Sequence, residues 1–356
     1  MKRLDFFLLT PVVCLVLFSL LMLYDASSFV ALRDFNDKYH YVKEQFVWMI
    51  LGFSALTFAY FFDYKKYYNL ALPALIVSLV LLLLVFVPGI GISLLGAKRW
   101  INLGFFVLQP AEFAKIALAL YLSAWFSAKE KGRLLAFLLL IGFVIFLIML
   151  QPDMGTAFII LSEAMAIYFI SGASIFHILV LIPPIIIGGI ALIKLEPYRA
   201  ARLATFLNPQ VDLENSSYHI KQVLIALGSG GLLGVGLGNS LQKYAYLPES
   251  TTDSIFAIIA EEVGFIGASI VVLLFVVICV KGFLIASNSK DLFGKLLASG
   301  ITTYITVQSL VNLGSQTALL PLTGVPLPFV SYGGSALIAA LFAVGILLNI
   351  SKQSKT

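Results

Sequence analysis

Few of the 356 residues carry charge. Asp, Glu, Lys and Arg together make up 12% of the chain, about half the share usual in a soluble globular domain. Cysteine is scarcer still. Cys14 and Cys279 both fall inside apolar runs, where a thiol behaves as a small hydrophobe, so neither a disulfide framework nor a zinc site follows. Three histidines, His40, His177 and His219, leave little material for a serine–histidine triad. There is no GxxxxGK(S/T) phosphate loop, no HExxH and no dinucleotide fingerprint, so no organic cofactor is expected. A net charge of +5 is too modest to point to nucleic acid. Internal repeats, low-complexity tracts and a separate soluble domain are also missing.

What the chain has is apolar sequence, 60% of its residues. Stretches near or above the roughly 18–20 residues that cross a bilayer recur from end to end. The pattern predicts an all-α polytopic membrane protein, a single transmembrane domain over 1–356. Its ten spans fall at 8–28, 43–62, 69–88, 108–127, 134–151, 154–171, 174–193, 254–281, 295–320 and 328–350. The first apolar run has a basic flank but exceeds the length of a signal peptide, and further spans follow, so it is expected to be retained. Between spans seven and eight lies a large extracytoplasmic loop, 194–252, containing an apolar helical stretch and then six glycines between 228 and 238. A helix half-embedded in the interface is expected there, followed by a turn whose backbone approaches something closely. Placing both termini in the cytoplasm puts twelve basic and four acidic residues inside. By Lys and Arg alone the margin is twelve to eleven, but the short loops at 65–66 and 129–133 and the tail 352–356 favour this orientation.

Charged groups at bilayer depth cost roughly 2.5–3.5 kcal/mol on insertion scales, so those present need a reason. The segment YLPESTTDSIFAIIAEEVGFIG, 246–267, holds four: Glu249, Asp253, Glu261 and Glu262. Asp253 stands where a helix should begin, which suits a cap in the helix dipole as well as chemistry. At 100° per residue Glu261 projects about 80° from Asp253 and Glu262 about 180°, so only one can share its face. In GAKRWINLGFFVLQPAEFAK, 96–115, Lys98, Arg99 and Trp100 lie at a membrane boundary. There, snorkelling anchors are the ordinary alternative to a binding role. Glu112 and Lys115, spaced i, i+3, can pair within the bundle. In QPDMGT, 151–156, Asp153 is either a helix cap or a cavity-facing carboxylate. Glu163, deeper in the next span, needs a partner in either case. Arg199 and Arg202, with Lys98 and Arg99, could form an anion site, since the arginine fork suits phosphate oxygens. PLTGVPLPFVSYGGSAL, 321–337, makes a discontinuous helix entry, tolerated only against protein or a watery cavity. Its Ser331, Tyr332 and Ser335 either bind a polar head group or satisfy freed backbone.

Together these motifs occur in the order of the SEDS family, the FtsW, RodA and SpoVE group, and the resemblance spans nearly the whole chain. GVGLGNSLQKYAYLPE and the VPGIG before GAKRWI look more like FtsW, while GVPLPFVSYGG leans towards RodA. The resemblance implies ten transmembrane helices and a peptidoglycan glycosyltransferase that polymerises lipid II into glycan strands. Its implied partner is a class B penicillin-binding protein, with other divisome or elongasome membrane proteins. The family's catalytic aspartate falls on Asp253, its motif tryptophan on Trp100 and its motif arginine on Arg99. The chain departs from the family's HTDF, having Thr251 and Ser254 around Thr252 and Asp253. No imidazole is therefore needed beside Asp253. This residue would serve as base, or as ligand to Mg2+ or Mn2+, while Lys98, Arg99, Arg199 and Arg202 neutralise phosphate. A lipid II flippase and a non-catalytic scaffold are the rival readings.

Overall fold

The computed structural model describes residues 4–94, 97–104, 106–128, 133–207, 216–244, 247–249 and 251–354. Lys2, Arg3, Lys129, Glu130, Lys131 and Lys355 of the orientation argument, and residues 208–215, 245–246 and 250 of the expected loop, lie outside these. Among the described residues twelve α-helices run as α1 (Phe6–Phe35), α2 (His40–Phe61), α3 (Tyr67–Leu84), α4 (Pro110–Ser127), α5 (Leu134–Leu150), α6 (Met154–Ile170), α7 (Ile175–Leu195), α8 (Pro197–Leu207), α9 (Ser216–Ser229), α10 (Ile255–Ser287), α11 (Leu292–Gln316) and α12 (Gly334–Ser354). Ten of them overlay the ten expected spans. The other two, α8 and α9, lie in the segment read as the large loop. Among the described residues six stretches are long and apolar enough to cross a membrane: α1, α2, Tyr64–Leu84, α10, α11 and α12. α5 and α6 are shorter apolar helices. The helical form follows from the solvent. In lipid each backbone N–H and C=O must be satisfied within its own segment or against protein.

α4, α6, α11 and α12 supply the interior, with Leu118, Ile160, Ile167, Ile301 and Leu347 fully buried. Lipid tails are as apolar as leucine, so such helices associate by close packing rather than by a hydrophobic drive. Gly345 of α12 makes the point, because a Cβ there would lie 2.4 Å from the carbonyl oxygen of Leu56 in α2.

Two local features sit within the all-α bundle that the apolar pattern predicts. Between α3 and α4 the chain forms a small antiparallel sheet, β1 (Gly91–Leu94), β2 (Ala97–Asn102) and β3 (Val107–Leu108), in that order. β2 alternates as a strand should, with Ala97 and Ile101 buried and Lys98 exposed. Second, α10 is broken at Gly264, whose φ of 69° and ψ of −172° lie far from helical values. The glycine-rich segment after α9 repairs the break. Val235 N–H donates to Glu261 O (3.0 Å) and Gly236 N–H to Glu262 O (3.1 Å). Phe265 N–H donates back to Gly231 O (2.9 Å) and Ile266 N–H to Leu232 O (3.2 Å). The partner that the glycine turn approaches is thus a neighbouring span, and the backbone groups freed by the break are satisfied at depth.

Candidate active site

Four non-helical or helix-end segments meet at one end of the bundle. The first is the α5–α6 turn. Gln151 Nε2 donates to Leu82 O (3.1 Å), fixing the turn to α3. Asp153 caps α6, accepting from Thr156 N–H (3.1 Å) and Thr156 Oγ1–H (2.9 Å). Arg99 reaches this turn from β2. Its Nε donates to Gln151 O (3.0 Å), its Nη2 to Pro152 O, and its Nε lies 3.9 Å from Asp153 Oδ2. Carbonyl acceptors orient a guanidinium without cancelling its charge.

The second segment is the unwound stretch 321–333. A Cβ on Gly155 would meet Val325 Cγ2 at 2.3 Å and Thr323 Cβ at 3.3 Å, so this stretch lies directly on the start of α6. Arg202 of α8, the third contributor, donates from Nη1 to Leu322 O (2.8 Å). The fourth is the turn at 249 and 251–254 that leads into α10. There Glu249 adopts φ 50° and accepts from Thr252 Oγ1–H (2.8 Å). The three successive carbonyls of this turn are all held by groups from the other side. Tyr332 N–H donates to Thr251 O (3.0 Å), Ser331 Oγ–H to Thr252 O (2.6 Å) and Asn312 Nδ2–H to Asp253 O (3.0 Å).

With the carbonyls turned away, the Asp253 side chain projects towards Gly324, where a Cβ would lie 3.3 Å from Oδ2. The cap position of α10 falls to Ser254 and no side chain among the described residues caps the helix, so Asp253 does not do the structural work a helix-terminal acid commonly does. It is partly accessible at its surface yet enclosed by protein on most sides. Burial pushes its carboxyl up to about 7, with Glu249 and Asp153 adding to the shift and Arg202 and Arg99 opposing it. His219 of α9 lies beside this turn, its Nε2 2.7 Å from Ser254 Oγ. Burial and the Arg202 charge push it down to about 4, which leaves the ring neutral at neutral pH. Nothing local to the 249–254 run signals an imidazole here. Ser254 is itself fully buried, so the pair presents no nucleophile.

The other predicted residues fall in several places. Lys98 is exposed on β2 and Trp100 is partly buried opposite Ile92 of β1. Arg199 precedes Arg202 by three residues on α8, on the same side of that helix. Ser331 spends its hydroxyl on Thr252 O and accepts from Leu327 N–H (2.8 Å), and Tyr332 donates to Glu44 of α2. Glu112 and Lys115 pair at 2.9 Å within the bundle, where Lys115 has no exposed surface. Glu163 is equally buried, and neither of its oxygens makes a hydrogen bond among the described residues. The acidic run divides in two: Glu249 and Asp253 belong to this site. Glu261 accepts from Ser240 and Ser229, while Glu262 accepts from Ser240 N–H (3.2 Å) and lies 3.4 Å from Lys243 Nζ. Neither shares a face with Asp253, because both serve the broken helix. Among the described residues no three His, Cys, Asp or Glu side chains converge as a metal-ligand set.

Asn312 and Gln308, buried on α11 and bonded to Val325 O and Pro326 O, were missed from the sequence. Two amides four residues apart on one face of a span long enough to cross a membrane were the available signal.

The FtsW/RodA/SpoVE family model, described as "Cell cycle protein", matches residues 6–356. The stage V sporulation protein E of Bacillus subtilis is 39% identical over 357 residues, covering 99% of this chain and 98% of its own. A protein of Geobacter metallireducens named "Probable peptidoglycan glycosyltransferase FtsW" is 39% identical over 360 residues, covering 99% and 96%. Among solved structures, one described as "Structural coordination of polymerization and crosslinking by a peptidoglycan synthase complex" superposes with a TM-score of 0.82 at 27% identity, covering 99% of both chains. The rod shape determining protein RodA of Thermus thermophilus superposes at 0.73 with 28% identity, covering 99% of this chain and 98% of that one.

Proposed function

The chain belongs to the FtsW/RodA/SpoVE family of peptidoglycan glycosyltransferases, and from that premise we propose that it polymerises lipid II with Asp253 as general base. The observation that carries the assignment of Asp253 is a carboxylate freed from helix capping, enclosed beside Arg99 and Arg202, and ionising near 7. A base works best when its pKa lies near the operating pH. In the step proposed, the acceptor sugar's 4-hydroxyl oxygen bonds to the donor's anomeric carbon and its proton passes to Asp253. The bond from that carbon to the pyrophosphate oxygen breaks, and undecaprenyl pyrophosphate leaves with the electron pair. Arg99, Arg202, Arg199 and Lys98 are the cations proposed to offset its charge as it departs. Glu249, Ser331 and Tyr332 support this reading as the frame of the Asp253 turn, and Trp100 and Asp153 as the frame of Arg99.

The site is proposed to face the extracytoplasmic side of the bacterial cytoplasmic membrane, with both termini cytoplasmic. A class B penicillin-binding protein is the proposed partner, with other divisome or elongasome membrane proteins. The structural neighbour described as a peptidoglycan synthase complex supports this. The test is labelled lipid II with purified protein, with and without the transpeptidase, scored for glycan chains. Asp253→Asn keeps the shape of the side chain but not its charge. Its rate is expected to fall at least ~100-fold while lipid II binding persists. Near-normal synthesis by this variant would move the active site elsewhere. Mg2+ and Mn2+ titration with chelator controls separates a base from a lone carboxylate ligand, since only the ligand role makes wild-type turnover depend on the ion. A flippase reading draws on the buried Glu163, which makes no hydrogen bond among the described residues. It predicts that Glu163→Gln abolishes lipid II movement in vesicles while Asp253→Asn spares it.

A further inference from the structure

Asn312 and Gln308 lie one turn apart on the interior face of α11, and both are buried. Asn312 Nδ2 carries two hydrogens and donates to two carbonyls, Asp253 O at 3.0 Å and Val325 O at 2.8 Å. One amide therefore ties the turn that bears Asp253 to the unwound stretch before α12. Gln308 Nε2 donates to the next carbonyl of that stretch, Pro326 O, at 3.0 Å, and its Oε1 accepts from Lys115 Nζ. Lysine can only donate, so Gln308 has to turn its oxygen to Lys115 and its nitrogen to Pro326. Lys115 is held in place by Glu112 Oε1 at 2.9 Å and lies over the Tyr304 ring. An unbroken chain of hydrogen bonds and peptide bonds thus runs from the charged pair inside the bundle to the Asp253 carbonyl. The neighbouring carbonyls of Thr251 and Thr252 are held by Tyr332 N–H and Ser331 Oγ–H, both from the unwound stretch itself.

We propose that Asn312 is a positioning residue for Asp253, and that Gln308 couples the Glu112–Lys115 pair to it through residues 321–327. The proposal rests on the polymerase reading of Asp253. The carbonyl that Asn312 holds and the carboxylate share one Cα, so releasing the carbonyl lets the carboxylate swing. Four charged groups face that carboxylate: Glu249 from its own turn, Arg202 from α8, Arg99 from β2 and Asp153 from the α5–α6 turn. A swing alters its distance to all four, which shifts the pH at which it ionises. A misplacement of about 1 Å also costs on the order of 100-fold in rate. A residue that only held the fold together would lower the amount of active protein equally at every pH.

The test uses the full-length protein with lipid II as substrate. Asn312→Leu keeps comparable bulk and removes the donors, Asn312→Ser is a milder loss, and Gln308→Leu releases Pro326 O and Lys115. For Asn312→Leu, kcat is expected to fall about 10- to 100-fold with KM nearly unchanged, and the acid limb of the pH–rate profile to move. Gln308→Leu should move both in the same direction by less. Should Asn312→Leu fail to fold, Asn312→Ser carries the same expectation. Hydrogen exchange of peptides spanning 249–255 and 321–327 is expected to quicken in each folded variant, with α1 and α2 unchanged. Normal kcat with an unmoved acid limb would overturn the positioning role, as would unchanged exchange in both peptides. A wild-type protein that made no glycan would sink the polymerase reading. The exchange data would still decide whether Asn312 holds the turn.

Discussion

Asp253 links ionisation to both rate and stability, with opposite signs. Only the ionised carboxylate accepts a proton, so glycan synthesis is expected to rise with pH through about 7. In the unfolded chain the same group ionises near its ordinary value of 3.8. Between those values the folded state binds more protons than the unfolded one, and the free energy of unfolding therefore falls as pH rises. Asp253→Asn has no such proton to lose. Its Tm relative to wild type should increase between pH 5 and pH 8, with synthesis low and flat throughout. A Tm difference independent of pH would mean that the ionisation seen in the rate belongs to another group. At Glu112 and Lys115 the i, i+3 spacing was enough to read the pair from sequence, because helix geometry fixes which side chains meet. The Asp253 surroundings were less legible. Arg99, Asp153 and Arg202 come from segments more than 40 residues apart, and nothing local to any of them reports the others.

Among the elements, apolar runs were legible to within a few residues because lipid leaves a long apolar segment little choice but a helix. The break in α10 was not. Gly264 sits inside an otherwise suitable run, and its conformation depends on a segment some thirty residues earlier that supplies the missing hydrogen bonds. The sheet at 91–108 escaped for a similar reason, being short and set among boundary residues that read as anchors. The stitched break makes a sharp prediction. Gly234 has φ 82°, and a Cβ there would lie 2.0 Å from Glu262 O, a backbone atom that cannot step aside. Gly142 of α5 has open space around its Cβ position. Gly234→Ala is therefore expected to cost at least about 1–3 kcal/mol, the range for a residue forced into a sparsely populated backbone conformation. Gly142→Ala should be neutral or slightly stabilising. Thermal unfolding in detergent distinguishes them. Equal Tm values would mean that the 230–236 segment is not seated in the break.

For the whole molecule the open quantity is which end faces the cytoplasm. The end opposite Asp253 carries Lys65 and Lys66 between α2 and α3, Lys290 and Lys295 around the start of α11, and Lys352 near the end of α12. These lie in short connections or close to helix ends, where basic residues bear most on insertion. Several cations at the Asp253 end are matched by acids. Lys43 lies 2.7 Å from Asp37, Arg33 2.7 Å from Asp34 and Lys243 2.8 Å from Asp25. Basic residues in such short connections are what positive-inside bias would retain in the cytoplasm. Cysteine labelling reads this directly, in a background with Cys14 and Cys279 replaced by alanine. Lys221 of α9 and Lys65 are both exposed, and they lie at opposite ends of the bundle. Ser217, four residues before Lys221, is buried and would report accessibility to solvent rather than sidedness. Lys221→Cys is expected to react with an impermeant thiol reagent in intact spheroplasts, and Lys65→Cys only once the membrane is permeabilised. The reverse pattern would put Asp253 in the cytoplasm. A polymerase there would have to build its glycan on the wrong side of the membrane, so that result would also count against the polymerase reading.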